Sequence, residues 1–488
     1  MSATRRGVRT VCGAVASGAL VLACQGDDDV RPLGTAIDSG IDGTSYSSSA
    51  ASDAALDGSA DTSADGADGA GEGEGGQDAT LGDAAADGGS GDGGDGGSDA
   101  SPPTFAQECD GASTMLEGIV YTPGGGLPVP NALVYAAAQP LSWMADAGPS
   151  CLPCTPPSEP VLASTLTRAD GSFALSLDSA PASATTVLAI QLGGFHKVTA
   201  SVAVTACAVT TVATSATTLP GTIASGDVPK IAVASGDGDH LEQELTNLGI
   251  GFDCYAPADA GTCEPIEPIA DLLVDSVGLG QYGELFLSSS AGAFAALLPS
   301  SQAAVTANLQ SWVQSGGRLV ATDEAYDYVA QAFPQYITWL GDGGVDGANE
   351  GCAPAGGNGM SPPAVTYSAT IDDTTLQTWL YTGIHATNAL SGPVSFVGFS
   401  QPWAVIASLP SGMSTPLAEA LMPVAPGPEQ CTPPSFENVP LAARFDVNAC
   451  GRVEYSSVLA YTGPGSASGQ NEHLLDYMIL QSEACSGP

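Results

Sequence analysis

From residue 229 onward, the apolar residues of this chain fall into short continuous runs separated by polar, glycine-rich turns and by stretches of helical periodicity. The run Ile231-Ala232-Val233-Ala234 meets the turn Ser235-Gly236-Asp237-Gly238-Asp239, after which Leu241, Leu245 and Leu248 recur on one helical face. A run of this length bounded by turn residues reads as a buried strand, and a 3–4 spacing reads as a helix packed on it. The pattern repeats. Glu284-Leu285-Phe286-Leu287 ends in Ser288-Ser289-Ser290, and Ser300 stands as the cap of a helix predicted over 302–314, with Val305, Leu309, Trp312 and Val313 apolar. Gly316-Gly317 stops that helix, and Arg318-Leu319-Val320-Ala321-Thr322 leads into Asp323-Glu324-Ala325-Tyr326-Asp327-Tyr328. Three strand–turn–helix units predict a doubly wound α/β domain over 228–488, a parallel sheet with helices on both faces. Later runs at 394–399, 404–409, 442–447 and 452–459 predict the other half of the sheet, and 472–481 a closing helix.

Between 104 and 222 the pattern changes to short alternating runs bounded by Gly and Pro, which predicts a small β-sandwich. Its strands are expected at 116–121, 131–135, 164–167, 172–177, 187–192 and 198–204. Arg168-Ala169-Asp170-Gly171 reads as a hairpin turn, and His196-Lys197 as a hairpin tip.

Upstream the apolar signal vanishes. Residues 24–103 are Gly, Asp, Ala and Ser with almost no aromatic or β-branched side chains, a composition that cannot offset its ordering entropy by burial. We read this stretch as a disordered acidic linker swollen by like charges. Calcium-binding Gly-Asp loops need alternating apolar residues, which 88–99 lacks. At the start, Arg5, Arg6 and Arg9 precede an apolar run over 11–23 that ends Val21-Leu22-Ala23-Cys24. A basic head, a short apolar middle and a small residue before the cut describe a signal peptide, 1–23, too short to span a bilayer.

Charge narrows the partners. The formal net charge is -43, from 10 Lys and Arg against 53 Asp and Glu, which excludes nucleic acid and anionic membrane surfaces as electrostatic partners. Ten of the 12 cysteines lie beyond Cys24: Cys109, Cys151, Cys154 and Cys207 in the sandwich, and Cys254, Cys263, Cys352, Cys431, Cys450 and Cys485 in the α/β domain. Even counts in an exported chain predict disulfides within each domain, with Cys254–Cys263 the clearest pair. The Cys151-Leu152-Pro153-Cys154 spacing lies among Pro149, Pro156 and Pro157, where a redox CxxC has no helix to open.

Three resemblances follow from these motifs. Placing Cys24 at the cut resembles the lipobox of bacterial lipoproteins, which implies lipidation of Cys24 and anchoring in the cell envelope, at the outer membrane. Leu116-Glu117-Gly118-Ile119-Val120-Tyr121, the Asn131 to Tyr135 strand and Thr167-Arg168-Ala169-Asp170-Gly171-Ser172-Phe173 resemble carboxypeptidase regulatory-like (transthyretin-like) domains, which are non-catalytic stalks or binding modules. The α/β segments opening Pro229-Lys230-Ile231, the strand at 284–287, the 318–328 turn and the terminal Cys450-Gly451-Arg452-Val453-Glu454-Tyr455 strand resemble the class I glutamine amidotransferase-like superfamily, particularly its ThuA-like branch, a flavodoxin-like fold. The whole order resembles myxobacterial-type surface lipoproteins.

The resembled family implies a nucleophilic Cys at the turn after the strand 318–322, and a His late in the chain. Here Thr322-Asp323-Glu324 occupy the turn, and His473 falls in the closing helix. Crevice candidates for catalysis are therefore Asp237, Ser288, Asp323 and Glu324, with Ser289 and Ser290 as alternative hydroxyls. Asp237, Asp239 and Asp323, beside Glu324 and Asp327, are candidate oxygen ligands for a divalent cation; the alternative reading of Asp239 and Asp323 is helix capping. His240 and His385 stand alone and read as structural. The expected function is an exported surface lipoprotein with a degenerate amidotransferase-like domain in a binding or structural role, facing a glycan or protein partner. The alternative is an extracellular hydrolase of carbohydrates or amides using Asp and Glu at the carboxyl edge of the sheet.

Overall fold

The computed structural model describes residues 104–139, 141, 148–151, 161–180, 186–199, 201–222, 227–236, 239–255, 263, 265–289, 294, 297–339, 365–383, 394–399, 406–423, 435–459 and 470–484. The signal peptide, Cys24, the acidic linker, Asp237, Ser290, Cys154, Cys352, His385, Cys431 and Cys485 lie outside them. The described residues belong to one compact unit of a multi-sheet α/β protein.

The first part runs α1 (Phe105–Glu108), β1 (Met115–Ile119), β2 (Leu133–Ala137), β3 (Val161–Leu166), β4 (Ser172–Ser176), β5 (Val187–Leu192), β6 (Phe195–Val198), β7 (Val209–Thr211) and α2 (Thr214–Thr217). Two sheets result, of order β4-β1-β7 and β3-β2-β5-β6. Leu116, Phe173 and Leu175 of the first share a core with Val134, Leu188 and Ile190 of the second. The turn at 168–171 forms as expected, with Arg168 N–H donating to the Ser172 carbonyl at 2.9 Å. Its two strands nevertheless do not pair: β3 joins β2 and β4 joins β1, so the turn switches the chain between sheets. His196-Lys197 is no hairpin tip either. The turn comes earlier, at Gly193-Gly194, and Phe195–Val198 is the strand paired with β5.

The second part runs β8 (Ile231–Ala234), α3 (Leu241–Leu248), β9 (Asp253–Tyr255), α4 (Ile269–Val274), α5 (Ser276–Leu279), β10 (Glu284–Leu287), α6 (Pro299–Gln314), β11 (Arg318–Thr322), α7 (Tyr326–Ala332), β12 (Thr338–Trp339), β13 (Val365–Ile371), α8 (Thr374–Thr378), β14 (Val394–Phe399), β15 (Ile406–Ser408), β16 (Thr415–Pro423), β17 (Ser435–Val447), β18 (Gly451–Ser456) and α9 (Gln470–Ser482). Nine strands form one sheet in the order β14-β13-β16-β17-β18-β11-β10-β8-β9. Pairings from β9 to β18 are parallel, and those from β18 to β14 antiparallel. Both faces of the parallel half are covered, and β8 and the last three residues of β10 are accordingly continuous apolar runs. The run at 404–409 falls outside this sheet: β15 pairs with β12 in a separate two-stranded ribbon.

Helix α3 forms because Leu241, Leu245 and Leu248 fall on one face, all buried, contributing about 1.5–3 kcal/mol each. It ends at Gly249, whose φ of 76° suits a residue without Cβ; a Cβ there would also meet Gly124 N at 2.6 Å. Helix α6 starts at Pro299, and its N-cap is Leu298 with no side-chain hydrogen bond, so Ser300 does not cap it. Pro at the first helical position, where the N–H would be unsatisfied anyway, supplies the start signal instead.

The two parts share a core, in which Val134 and Leu188 cluster with Leu245, Phe286, Leu475 and Met478. Helix α9 sits at their junction: Asn131 Nδ2 donates to Gln481 Oε1 at 2.8 Å, and Gln481 Nε2 to the Pro130 carbonyl at 3.3 Å. Three disulfides close within the described residues: Cys109–Cys207, Cys254–Cys263 and Cys151–Cys450. The last departs from the expected pairing within domains. It ties the insertion between β2 and β3 to the β17–β18 turn, 299 residues along the chain. The backbone of residues 150–151 lies so close to Gly316, φ 110°, that a Cβ there would meet Ser150 C at 2.4 Å. No helix among the described residues is long and apolar enough to cross a membrane.

Candidate functional site

Side chains alternate across a strand, so the register of β8, β10, β11 and β18 decides what each face of the parallel half carries. Ala234, Leu287, Ala321 and Tyr455 are paired in one row and pack with α4–α7. The next residues, Ser235, Ser288, Thr322 and Ser456, therefore turn to the opposite face, beneath α3 and α9. They form a row of four hydroxyls at the carboxyl ends of adjacent strands, all fully buried.

Asp239 joins this row. Its carboxylate accepts a hydrogen bond from Thr322 Oγ1 and another from the His240 amide at 2.8 Å. Thr322 Oγ1 in turn accepts from Ser289 N–H at 3.0 Å. The expected helix-capping role is not what Asp239 performs: the N-cap of α3 is His240, and the Asp239 side chain reaches across to β11. Ser456 Oγ donates to the Val458 carbonyl at 3.0 Å and accepts its amide at 2.9 Å. Among the described residues, Ser235 Oγ and Ser288 Oγ have no hydrogen-bond partner, a costly state for a buried hydroxyl.

Asp323 opens the single 3-10 turn that follows β11. Its φ of 40° is in the left-handed region, uncommon for a residue with a Cβ, and its side chain is only 1% exposed. The phenol of Tyr455 donates to its carbonyl at 3.3 Å. Burial, and then the Asp323 charge, push the Tyr455 phenol well above its ordinary value, so it remains a donor. The N-cap of this turn is Thr322, and Asp323 is its first residue. Asp327 is buried, whereas Glu324 is half-buried. Among the described residues, no group of three or more His, Cys, Asp or Glu is arranged to hold a metal ion.

The structure thus gathers Asp239, Ser288, Ser289, Thr322 and Asp323 at one edge. His473 lies in α9, 7% exposed, its Nδ1 3.4 Å from Asp476 Oδ2 and its ring edge-on to Trp379. Burial holds its pKa below the ordinary imidazole value. His240 Nδ1 lies 3.3 Å from Glu242 Oε1, also on the helix side.

Sequence reasoning missed Ser235 and Ser456. Each continues the alternation of an apolar strand by two residues, a local signal, but their alignment with Ser288 and Thr322 needs the strand order. It also missed the buried carboxyls of the same face: Glu244, Glu284, Glu454, Asp476 and Glu483. No protein-family model matches this chain, and no curated protein does.

Proposed function

We propose that the chain is an exported surface lipoprotein, anchored through Cys24 in the outer membrane, that uses its α/β half for binding rather than catalysis. In this reading the two small sheets form a transthyretin-like sandwich, and the nine-stranded sheet with its helices is an amidotransferase-like domain without its chemistry. One observation carries the proposal. At the tight turn after β11, where the resembled family holds its nucleophilic thiol, stands the buried carboxylate of Asp323, and the nearby Asp239 carboxylate is engaged by Thr322 and a backbone amide. These hydrogen bonds tie the Asp239 side chain to β11 and to the start of α3. The disulfides are compatible with an oxidising compartment outside the cytoplasm.

The test uses the mature chain from residue 24. Glutamine, amide, ester and glycoside substrates are expected to give no turnover, while a panel of glycans is expected to yield one that raises Tm saturably. A second reading, hydrolysis at this edge, draws on the unpartnered Ser288 hydroxyl. Turnover abolished by Ser288→Ala or Asp323→Asn in folded protein would establish that reading and overturn the first.

A further inference from the structure

Helix α9 packs on α3, β11, β14 and β18, and along this bed carboxyl groups meet one another. Glu244 of α3 is fully buried, and Asp476 of α9 is 2% exposed. No amide, hydroxyl or cationic donor reaches Glu244 Oε1 or Asp476 Oδ1, and the two carboxyls are each other's partners. Their other oxygens face Asn247 Nδ2 and His473 Nδ1, each at 3.4 Å. A second meeting lies just past the end of α9. Glu284 of β10 is buried against Glu483, and its Oε1 has no other donor. Glu483 takes the Gly194 amide at 2.5 Å on Oε2 and lies 3.7 Å from Arg318 Nε through Oε1. Two ionised carboxylates in contact away from water repel, whereas one shared proton makes the contact a hydrogen bond.

We propose that α9 is latched by protons: the Asp476–Glu244 and Glu483–Glu284 contacts hold it to α3 and to the sheet only while each pair shares a proton, and alkalinisation releases it.

The surrounding charges favour this. Around the first pair, Glu472 and Asp239 add negative charge, and burial keeps His473 neutral. Further along α3, His240 faces Glu242. At the second pair Arg318 offsets part of the charge. The cations of β17 and β18 are engaged elsewhere: Arg452 holds Asp446 and the Gln481 carbonyl, and Arg444 holds Asp373, which also accepts from Tyr477. Glu454 lies beneath α9 near both arginines, and β14 carries no charged residue.

Burial first, and the Asp476 charge second, push the Glu244 carboxyl up to about 8; Asp476 and Glu284 are also raised well above the ordinary range, chiefly by burial. The folded chain therefore keeps protons that the unfolded chain releases near 4.5. Stability of the docked helix falls as pH climbs from there through about 8.

Hydrogen exchange of the α9 amides in the mature chain, corrected for intrinsic rate, tests this. Between pH 5 and pH 9 the opening constant of the wild type is expected to rise at least about tenfold, since one pKa unit is a factor of ten. Glu244→Gln and Glu284→Gln carry their own hydrogen and are expected to flatten the rise. A protonated-carboxyl infrared band at neutral pH that disappears on alkaline titration supplies a readout needing no variant. A flat wild-type profile, an unchanged rise in both folded variants, or the absence of that band would overturn the proposal.

Discussion

The two faces of the parallel half are built from the same four strands and differ in almost every side chain. Toward α4–α7 they present Ala232, Leu285, Leu319 and Val453, then Ala234, Leu287, Ala321 and Tyr455, a layer filled by packing. Toward α3 and α9 they present Ile231, Glu284, Arg318 and Arg452, then Val233, Phe286, Val320 and Glu454, then the four hydroxyls. The first face is held by contact area. The second carries buried charges whose desolvation must be offset pair by pair. It is also the face that meets the N-terminal sheets. The difference shows that this sheet is stabilised on one side and made conditional on the other.

That contrast can be broken most severely at Arg444. It pairs with Asp373 and offsets the charge of Glu454, whose own carboxyl burial pushes up to about 7 and whose oxygens have no hydrogen-bond partner. Arg444→Met is expected to cost about 3–5 kcal/mol in urea unfolding. It is also expected to extend the pH window over which Glu454 drains stability. That window runs upward from near 4.5 to about 7 in the wild type, because a raised acid pKa means the folded form binds more protons. Leu285→Ala on the other face should cost about 2–5 kcal/mol by leaving a cavity, with the pH slope unchanged. An altered slope there would erase the distinction between the faces. The smallest effect is expected of Thr322→Val, which removes the hydroxyl that joins Asp239 to the Ser289 amide, at about 1–3 kcal/mol. Differential unfolding at several pH values measures all three.

The strands β8, β10 and β11 were legible because strands covered on both faces are continuous apolar runs, and Gly316 marks a turn; the short β9 was not anticipated. The antiparallel half was far less legible. β16 reads Thr-Pro-Leu-Ala-Glu-Ala-Leu-Met-Pro, which carries no strand alternation, and β17 has Pro440 within it. Register shifts between these two strands accommodate what a regular ladder would reject. β13 was likewise not anticipated. At the candidate site, Asp323 could be located from its place after an apolar strand, whereas the partner of Asp239 could not, since Thr322 lies 83 positions away. The carboxyl meetings under α9 have no local signature either, because Glu244 and Asp476 come together only through the fold. Disulfides were expected from even cysteine counts in an exported chain, but the Cys151–Cys450 pairing depends on how the β2–β3 insertion runs past Gly316.

That bond has a topological outcome. Because it joins a point early in the folded chain to one near its end, it encloses most of the α/β half in a covalent ring. An endoprotease nick in any loop inside the ring leaves both fragments attached, and the cleaved molecule separates only once a thiol reagent is added.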